Sequence, residues 1–130
     1  MPAVKVTFPG GALVTAHAAG FDIATDQPIE DGGTNTAAAP YDLFLSSIAT
    51  CAGIYVLRFC QQRELPTEGL TMTLDIERNA ASRRLDKVKL AIQLPEGFPE
   101  KYHKAVIRAA GMCSVKKAIM DPPEFEVITE

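Results

Sequence analysis

The chain has no excess of positive charge and no strongly basic segment. Its 130 residues include 13 Lys and Arg against 16 Asp and Glu, which gives a net charge of -3. Nucleic-acid binding needs clustered Lys and Arg to neutralise phosphates. The nearest approach to such a cluster consists of Arg78, Arg83, Arg84, Lys87 and Lys89. We interpret that group as the solvated tip of a hairpin, and we expect no nucleic-acid partner.

Sequence signals for export and for membrane insertion are also missing. The opening MPAVKVTFPGG contains no basic segment followed by an apolar core, so we expect a cytoplasmic protein. The most apolar segment covers residues 43–57 and is interrupted by Ser46, Ser47, Thr50 and Gly53. A membrane span needs about 20 apolar residues, so this segment predicts a buried helix and no contact with a membrane.

Cysteine is scarce, and no motif for a metal or cofactor is present. Three cysteines without an export signal argue against a structural disulfide framework, because the cytoplasm keeps most thiols reduced. Any disulfide should therefore be transient. The chain has no C-x-x-C or H-x-x-x-H spacing, Gly-rich phosphate loop, nucleophile elbow or paired carboxylates. We expect neither a metal nor a cofactor.

The periodicity of apolar residues predicts both strands and helices, and the length of the chain predicts a single domain over residues 1–130. Alternation predicts strands, and turn residues separate them. A long loop before Pro40 precedes a helix of about 24 residues, since Pro suits a helix N-terminus and Pro66 ends the pattern. The predicted strands are residues 4–8, 12–16, 21–25, 71–77, 87–94 and an edge strand at 125–128, and short helices follow at 99–110 and 114–120.

The long helix is apolar on every side, which predicts a homodimer. Its apolar side chains are Leu43, Phe44, Leu45, Ile48, Ile54, Tyr55, Val56, Leu57 and Phe59. A helix on the surface of a globular protein shows one apolar stripe, whereas a surrounded helix is apolar all round. One small domain offers too few elements to cover both sides, so we expect a second copy to do so.

The three cysteines differ in their predicted positions on the helices, and therefore in how far local structure can favour a thiolate. Cys51 and Cys60 are nine residues apart on one helix, which places them about 180° apart around it and about 13.5 Å apart along it. They cannot form a disulfide without unwinding the helix. Cys113 comes just before Ser114, where free N–H groups at a helix start favour a thiolate. We therefore predict Cys113 to be the cysteine most easily activated by local structure.

Two segments resemble the OsmC/Ohr superfamily. They are PYDLFLSSIATC, which ends at Cys51, and GMCSVKKAI, which contains Cys113. In that superfamily a Pro opens an apolar helix that reaches a first cysteine, and a second cysteine some sixty residues later is followed by a small residue or Pro and then Val. The segments Asp26-Gln27-Pro28, Gly32-Gly33 and LPEGF fit the same order. The resemblance therefore extends over nearly the whole chain.

The resemblance implies a fold and a chemistry. The fold is an intertwined α+β homodimer, with antiparallel sheets packed around long central helices that carry the cysteines. In the peroxidases of the superfamily the first cysteine attacks a hydroperoxide and becomes a sulfenic acid. The second resolves it as a disulfide, which a dithiol such as dihydrolipoamide reduces. Cys51 would be the attacking residue and Cys113 the resolving residue.

The sequence departs from those peroxidases around the attacking cysteine. They hold the thiolate with an Arg from the N-terminal strands and a Glu ten residues before the cysteine. Here Tyr41 occupies the Glu position, Asp42 follows it, and no Arg precedes Arg58. His17 could replace the missing positive charge, or it could lie at a strand end facing solvent. The candidate supporting residues are therefore His17, Asp42 and Tyr41.

Two functions stay open at this stage. The first is cysteine-dependent reduction of organic hydroperoxides, supported by the retained pair Cys51 and Cys113. The second is an OsmC-like module that binds an apolar small molecule or a thiol compound without peroxidase activity, supported by the missing Arg and Glu. If activity is present, we expect it to be slow at neutral pH and to rise toward about pH 8 to 9, because an unperturbed cysteine has a pKa of about 8.5.

Overall fold

The computed structural model describes residues 2–130, which divide into two compact units. The first unit ends at Ser46, and the second is Ser47–Glu130. Helix α1, Pro40–Gln62, begins in the first unit and continues into the second. The α+β class implied by the resemblance is confirmed, and so are five of the six strands predicted from periodicity, which form antiparallel sheets. A single domain over residues 1–130 stays a prediction.

The first unit contains a three-stranded antiparallel sheet. Its strands are β1 (Val4–Gly10), β2 (Leu13–Ala18) and β3 (Phe21–Thr25), in the order β1-β2-β3. Ala19 and Gly20 join β2 to β3 with φ angles of 52° and 84°. Two successive positive φ angles belong to a tight hairpin turn whose twist matches that of the strands. The three N-terminal strands predicted from alternation are therefore confirmed.

The strand register gives this sheet one apolar face and one polar face. Val6, Ala16 and Ile23 are cross-strand neighbours, and so their side chains share a face. The neighbouring positions Lys5, His17 and Asp22 point to the other face. The apolar face is exposed: Val4 is 50% exposed, Val6 46%, Phe21 71% and Ile23 38%. Exposed apolar surface of this kind commonly marks an interaction site.

Asp26 organises the loop between β3 and α1. Its carboxylate is 1% exposed and accepts hydrogen bonds from the N–H of Gln27 and from the N–H and hydroxyl groups of both Thr34 and Thr36, at 2.7 to 3.3 Å. The Thr36 hydroxyl contributes most to holding the pKa of Asp26 well below its usual range. Gly33 lies so close to Gln27 that a Cβ there would overlap the Gln27 carbonyl oxygen.

The second unit combines the rest of α1 with a two-stranded hairpin and two short helices. The hairpin is formed by β4 (Thr71–Arg78) and β5 (Leu85–Gln93), and the helices are α2 (His103–Ala110) and α3 (Ser114–Met120). A turn of 3-10 helix, Glu100–Tyr102, leads into α2. The core of this unit consists of Ala52, Val56, Phe59, Cys60, Phe98, Val106, Ala110 and Cys113.

One predicted strand is wrong. The edge strand predicted at residues 125–128 is not a strand, because no other segment of residues 2–130 pairs with it and a strand needs a partner to complete its hydrogen bonds. Phe125 is instead 85% exposed and Val127 95% exposed. Helix α1 has 23 residues, which confirms the predicted length of about 24, and it ends at Gln62, after which the Leu65 N–H turns back to the Cys60 carbonyl at 2.9 Å.

Among residues 2–130, the fully buried side chains of α1 lie along one stripe of the helix. Its buried residues are Ile48, Ala52, Val56, Phe59 and Cys60. The most apolar 18-residue window of the helix has a mean hydropathy of 1.7 and is 28% buried. By length and composition alone such a helix could cross a membrane, but this is weak evidence because core helices of soluble proteins pass the same test. The other apolar side chains of α1 are half-buried, apart from Tyr41 and Ile54, which are exposed.

We predict that Asp26→Asn lowers the urea midpoint of unfolding at pH 7. An amide cannot accept all of the hydrogen bonds that the Asp26 carboxylate accepts. Because folding lowers this pKa, the contribution of Asp26 is present above the unfolded pKa of about 4 and is lost as the pH falls further. The difference from wild type should therefore shrink at pH 3. Asp31→Asn, at an exposed position in the same loop, is the control and should change little.

Candidate functional site

Cys51 lies on α1 beside the first turn of α3. Its Sγ is 3.6 Å from the Ser114 Oγ. The N–H groups of Val115 and Ser114 and the thiol of Cys113 also hydrogen-bond to it. Inside an α-helix the N–H groups are already used by the helix itself, so a thiolate there needs donors from another element. The start of α3 supplies them, and Cys51 remains partly exposed.

Cys113 is the N-cap residue of α3 and is buried against α1. Its Sγ accepts a hydrogen bond from the Lys116 N–H at 3.4 Å and lies 4.0 Å from the Ile48 carbonyl oxygen. Only 1% of the residue is exposed. Because Ile48 lies one turn before Cys51 on α1, these contacts bring the two cysteines to one place. Their catalytic roles stay a prediction.

The surroundings of the two thiols lower the pKa of Cys51 and raise the pKa of Cys113. Hydrogen bonds from the Val115 N–H, first of all, and from the Cys113 thiol lower the pKa of Cys51 to about 7. Burial raises the pKa of Cys113, and its hydrogen bond to Cys51 raises that pKa further. At neutral pH the pair therefore consists of a partly ionised, accessible Cys51 and a protonated, buried Cys113.

The sequence-based prediction about Cys113 is wrong on this point. The free N–H groups at the start of α3 do favour a thiolate, but the thiolate they favour is that of Cys51. Burial has the larger effect on Cys113. Ser114 was not predicted to be a site residue, although its position directly after the second cysteine was a signal. Its hydroxyl lies 3.6 Å from the Cys51 Sγ and helps to lower the pKa of that thiol.

Cys60 takes no part in this arrangement. It is fully buried in the core of the second unit, and burial raises the pKa of its thiol. A buried neutral thiol behaves as a small apolar side chain. That agrees with the helical geometry, which turns Cys60 away from Cys51.

The candidate supporting residues all have structural contacts in the first unit. His17 lies in β2, where its Nδ1 is 2.6 Å from the Asp22 carboxylate and its Nε2 is 2.9 Å from the Thr7 hydroxyl. Asp42 accepts a hydrogen bond from the Ala39 N–H at 3.1 Å in the first turn of α1. The Tyr41 ring packs against Phe44 at 5.4 Å. A supporting role for these residues stays a prediction.

A cavity of about 870 Å³ opens in the second unit between β5, α2 and α3. Apolar side chains from these elements form its floor, among them Leu90, Ile92, Val106 and Ile119. Charged side chains surround it: Arg84, Lys87 and Lys116 with His103, against the single carboxylate of Asp86. Among residues 2–130 no three His, Cys, Asp or Glu side chains are grouped closely enough to hold a metal ion.

The fold and the cysteine pair define a class of α+β proteins in which a long helix presents one thiol to a second thiol that caps a short helix. The family model of the OsmC-like proteins matches residues 33–128. The chain belongs to the OsmC-like family, which confirms the resemblance seen in its sequence. A search of curated proteins found no match.

Solved structures of this fold come from several bacteria. A protein from Psychrobacter arcticus 273-4, provisionally named an osmotic stress induced and detoxification response protein, is 28% identical with a TM-score of 0.76 over 91% of this chain and 88% of that chain. An organic hydroperoxide resistance protein OsmC from Legionella pneumophila is 21% identical, with a TM-score of 0.57 over 89% and 86%. A provisionally named organic hydroperoxide resistance protein from Vibrio cholerae, with captopril in one active site, is 21% identical, with a TM-score of 0.58 over 94% and 87%.

We predict that Cys51 is the fast-reacting thiol and that its alkylation follows a midpoint near pH 7. The rate of iodoacetamide labelling, read by mass spectrometry for each cysteine peptide, measures this directly. Ser114→Ala should raise the Cys51 midpoint by about half a unit to one unit, which corresponds to the loss of one hydrogen bond. Cys60 is the internal control and should label only on unfolding. A Cys51 midpoint of about 8.5 in the wild type would contradict the assigned environment.

Proposed function

We propose that this protein reduces organic hydroperoxides through Cys51, with Cys113 as the resolving thiol. The observation that carries the proposal is the geometry of the site: the partly exposed Cys51 lies 3.6 Å from the Ser114 hydroxyl at the start of α3, the helix that the buried Cys113 caps. A module that only binds ligands has no need of an acidic cysteine next to another cysteine. The family supports the same function, since its structural neighbours include organic hydroperoxide resistance proteins.

The first step is attack of the Cys51 thiolate on the outer oxygen of the hydroperoxide. An S–O bond forms, the O–O bond breaks, and the departing alkoxide takes a proton to leave as an alcohol. Cys51 becomes a sulfenic acid, so sulfur is oxidised by two electrons and the peroxide is reduced. The Ser114 hydroxyl and the Cys113 thiol are the side-chain donors next to this sulfur. We assign them to stabilise the thiolate and to provide hydrogen bonds for the departing oxygen.

The second step is attack of Cys113 on the sulfenic sulfur. The negative charge of Cys51 is one cause of the raised Cys113 pKa, and the first step removes that charge. Cys113 therefore becomes easier to ionise once Cys51 is oxidised. The S–S bond forms as the hydroxyl of the sulfenic acid leaves and takes up the Cys113 proton to become water. A dithiol such as dihydrolipoamide then returns both cysteines to thiols and is itself oxidised to a disulfide.

The lowered Cys51 pKa also changes the expected pH dependence. The backbone N–H of Val115 stabilises the Cys51 thiolate, a role for which the sequence offers no Arg or Glu. We therefore expect peroxide consumption to reach half of its maximum near pH 7, where half of Cys51 is thiolate, and not at pH 8 to 9. Free, unbridged cysteines suit the reducing cytoplasm, which stays the proposed location.

We also propose that two copies of the chain form a homodimer. The apolar face of the first unit's sheet is exposed, and only 28% of the apolar window of α1 is buried. Apolar surfaces of this size in a soluble protein are normally covered by a partner. The alternating register puts Val6 and Ile23 on that face, whereas Lys5 lies on the opposite one. The sheet therefore presents its apolar face to a second copy.

We predict that Cys51→Ser abolishes consumption of cumene hydroperoxide. Cys113→Ser should consume one equivalent per chain and then stop, leaving a sulfenic acid on Cys51 that dimedone traps. Cys60→Ser is the matched control, and it should retain turnover with dihydrolipoamide if it folds. Thiol counting and mass spectrometry of the oxidised wild type should find Cys51 joined to Cys113. Peroxide consumption by Cys51→Ser with none by Cys113→Ser would reverse the two roles.

We predict that Val6→Asp dissociates the dimer, because it buries a charge in the apolar face of the sheet. Sedimentation velocity at micromolar concentration measures the result. Lys5→Glu, one residue away on the same strand but on the polar face, is the control and should leave the dimer intact. A wild-type chain that sediments as a 14.0 kDa monomer would contradict the dimer, and so would a Val6→Asp protein with unchanged association.

A further inference from the structure

Helix α3 is short and only loosely packed against the rest of the second unit. It has seven residues, none of which is fully buried, and Val115 is the residue of α3 that packs against the core. Ile119 and Met120 are 44% and 74% exposed. An isolated helix of fewer than about 12 residues is marginal in water. The stability of α3 therefore depends strongly on what the N–H groups of its first turn bind.

Those N–H groups bind the two sulfur atoms of the cysteine pair. The first N–H groups of a helix have no partner inside the helix. The N–H groups of Ser114 and Val115 donate to the Cys51 sulfur. The Lys116 N–H donates to the Cys113 Sγ at 3.4 Å. A thiolate is a strong acceptor because it is charged, so the reduced pair holds the first turn of α3 in place.

Oxidation of the pair removes these acceptors. In a disulfide that joins Cys51 to Cys113 neither sulfur carries a charge, and an uncharged divalent sulfur is a weak acceptor. The Cys113 Sγ must also come closer to Cys51 than a hydrogen bond, which draws it from its N-cap position. Three N–H groups at the start of a marginal helix are then left without a good partner.

We infer that α3 is a redox-controlled lid, ordered while Cys51 and Cys113 are thiols and opened at its first turn once they are joined. Opening gives a dithiol access to the Cys113 sulfur, which belongs to a residue only 1% exposed when the cysteines are free. It also widens the cavity, because Lys116, Ile119 and Met120 of α3 line it. This inference rests on the proposed function and deepens it, since it says how a buried disulfide becomes accessible to its reductant.

Amide hydrogen exchange, read by NMR, tests the inference on the wild-type chain. Diamide oxidises the two thiols to a disulfide by taking up their two electrons and two protons, so the oxidised state does not depend on reaction with a peroxide. The Val115 and Lys116 amides should exchange on the order of tenfold faster after oxidation, because each loses a capping hydrogen bond. The amides of β4 and β5 are the internal reference and should not change. Unchanged exchange at Val115 and Lys116 would overturn the inference.

Two substitutions at Cys113 separate the loss of the cap from the covalent bond itself. Cys113→Ser keeps an N-cap oxygen that can accept from the Lys116 N–H, whereas Cys113→Ala offers no acceptor, and neither variant can form the disulfide. Without any oxidant, the Lys116 amide should exchange in Cys113→Ala as fast as in the oxidised wild type. In Cys113→Ser it should exchange as slowly as in the reduced wild type. Equal exchange in the two variants would show that the cap does not hold α3 and would count against the lid.

Reduction of the oxidised wild type by dithiothreitol tests whether the disulfide is accessible. A disulfide under a closed helix must wait for local unfolding, which low concentrations of urea promote. If α3 is already open, the reduction rate should be the same with and without about 1 M urea, below the unfolding transition. A rate that rises several-fold with urea would show that α3 stays closed after oxidation.

The outcomes distinguish the lid from the proposed function. A wild type that consumes no hydroperoxide, but whose α3 opens after treatment with diamide, would overturn the proposed function and support the lid. Peroxide turnover with no change in the α3 amides on oxidation would overturn the lid alone. Failure of diamide to join Cys51 to Cys113 would overturn the lid together with the proposed resolving step.

Discussion

The site depends on one contact, the approach of the first turn of α3 to Cys51 on α1. A thiol inside a helix has no spare backbone donors of its own, and this chain offers no Arg before Arg58 to replace them. The N–H of Val115 and the hydroxyl of Ser114 meet that need. The buried cluster around Val56, which includes residues of both α1 and α2, holds the second unit together next to this contact.

Burial and hydrogen bonding give two chemically identical side chains different pKa values. Cys51 is partly exposed and hydrogen-bonded as a thiolate, whereas Cys113 is 1% exposed and kept as a thiol. The same hydrogen bond lowers one pKa and raises the other, because it favours a charge on Cys51 and a proton on Cys113. Under the proposed function this asymmetry sets the order of the two steps, with the partly exposed Cys51 reacting before the buried Cys113.

Much of the chain's apolar surface has no cover within the chain. It includes one face of the N-terminal sheet, Tyr41 and Ile54 on α1, and the side chains of Phe125 and Val127 near the C-terminus. The N-terminal sheet has a polar face opposite its apolar face, which is the arrangement of a sheet that packs its apolar face against another surface. Under the proposed homodimer, a second chain would cover these surfaces, and the stability of the protein would depend on its concentration.

The sequence by itself determined the elements, because the period of apolar residues and the turn residues are local signals. It placed β1 to β5 and α3, began α1 at Pro40 and brought Cys51 and Cys113 forward as candidates. Only tertiary structure decided which thiol ionises, since the hydroxyl beside Cys51 comes from a residue 63 positions away. It also decided that residues 125–128 form no strand, because strand formation depends on a partner and not on alternation alone. Contacts between segments that are distant in sequence produce no periodic pattern. The sequence alone therefore could not predict which donors surround Cys51.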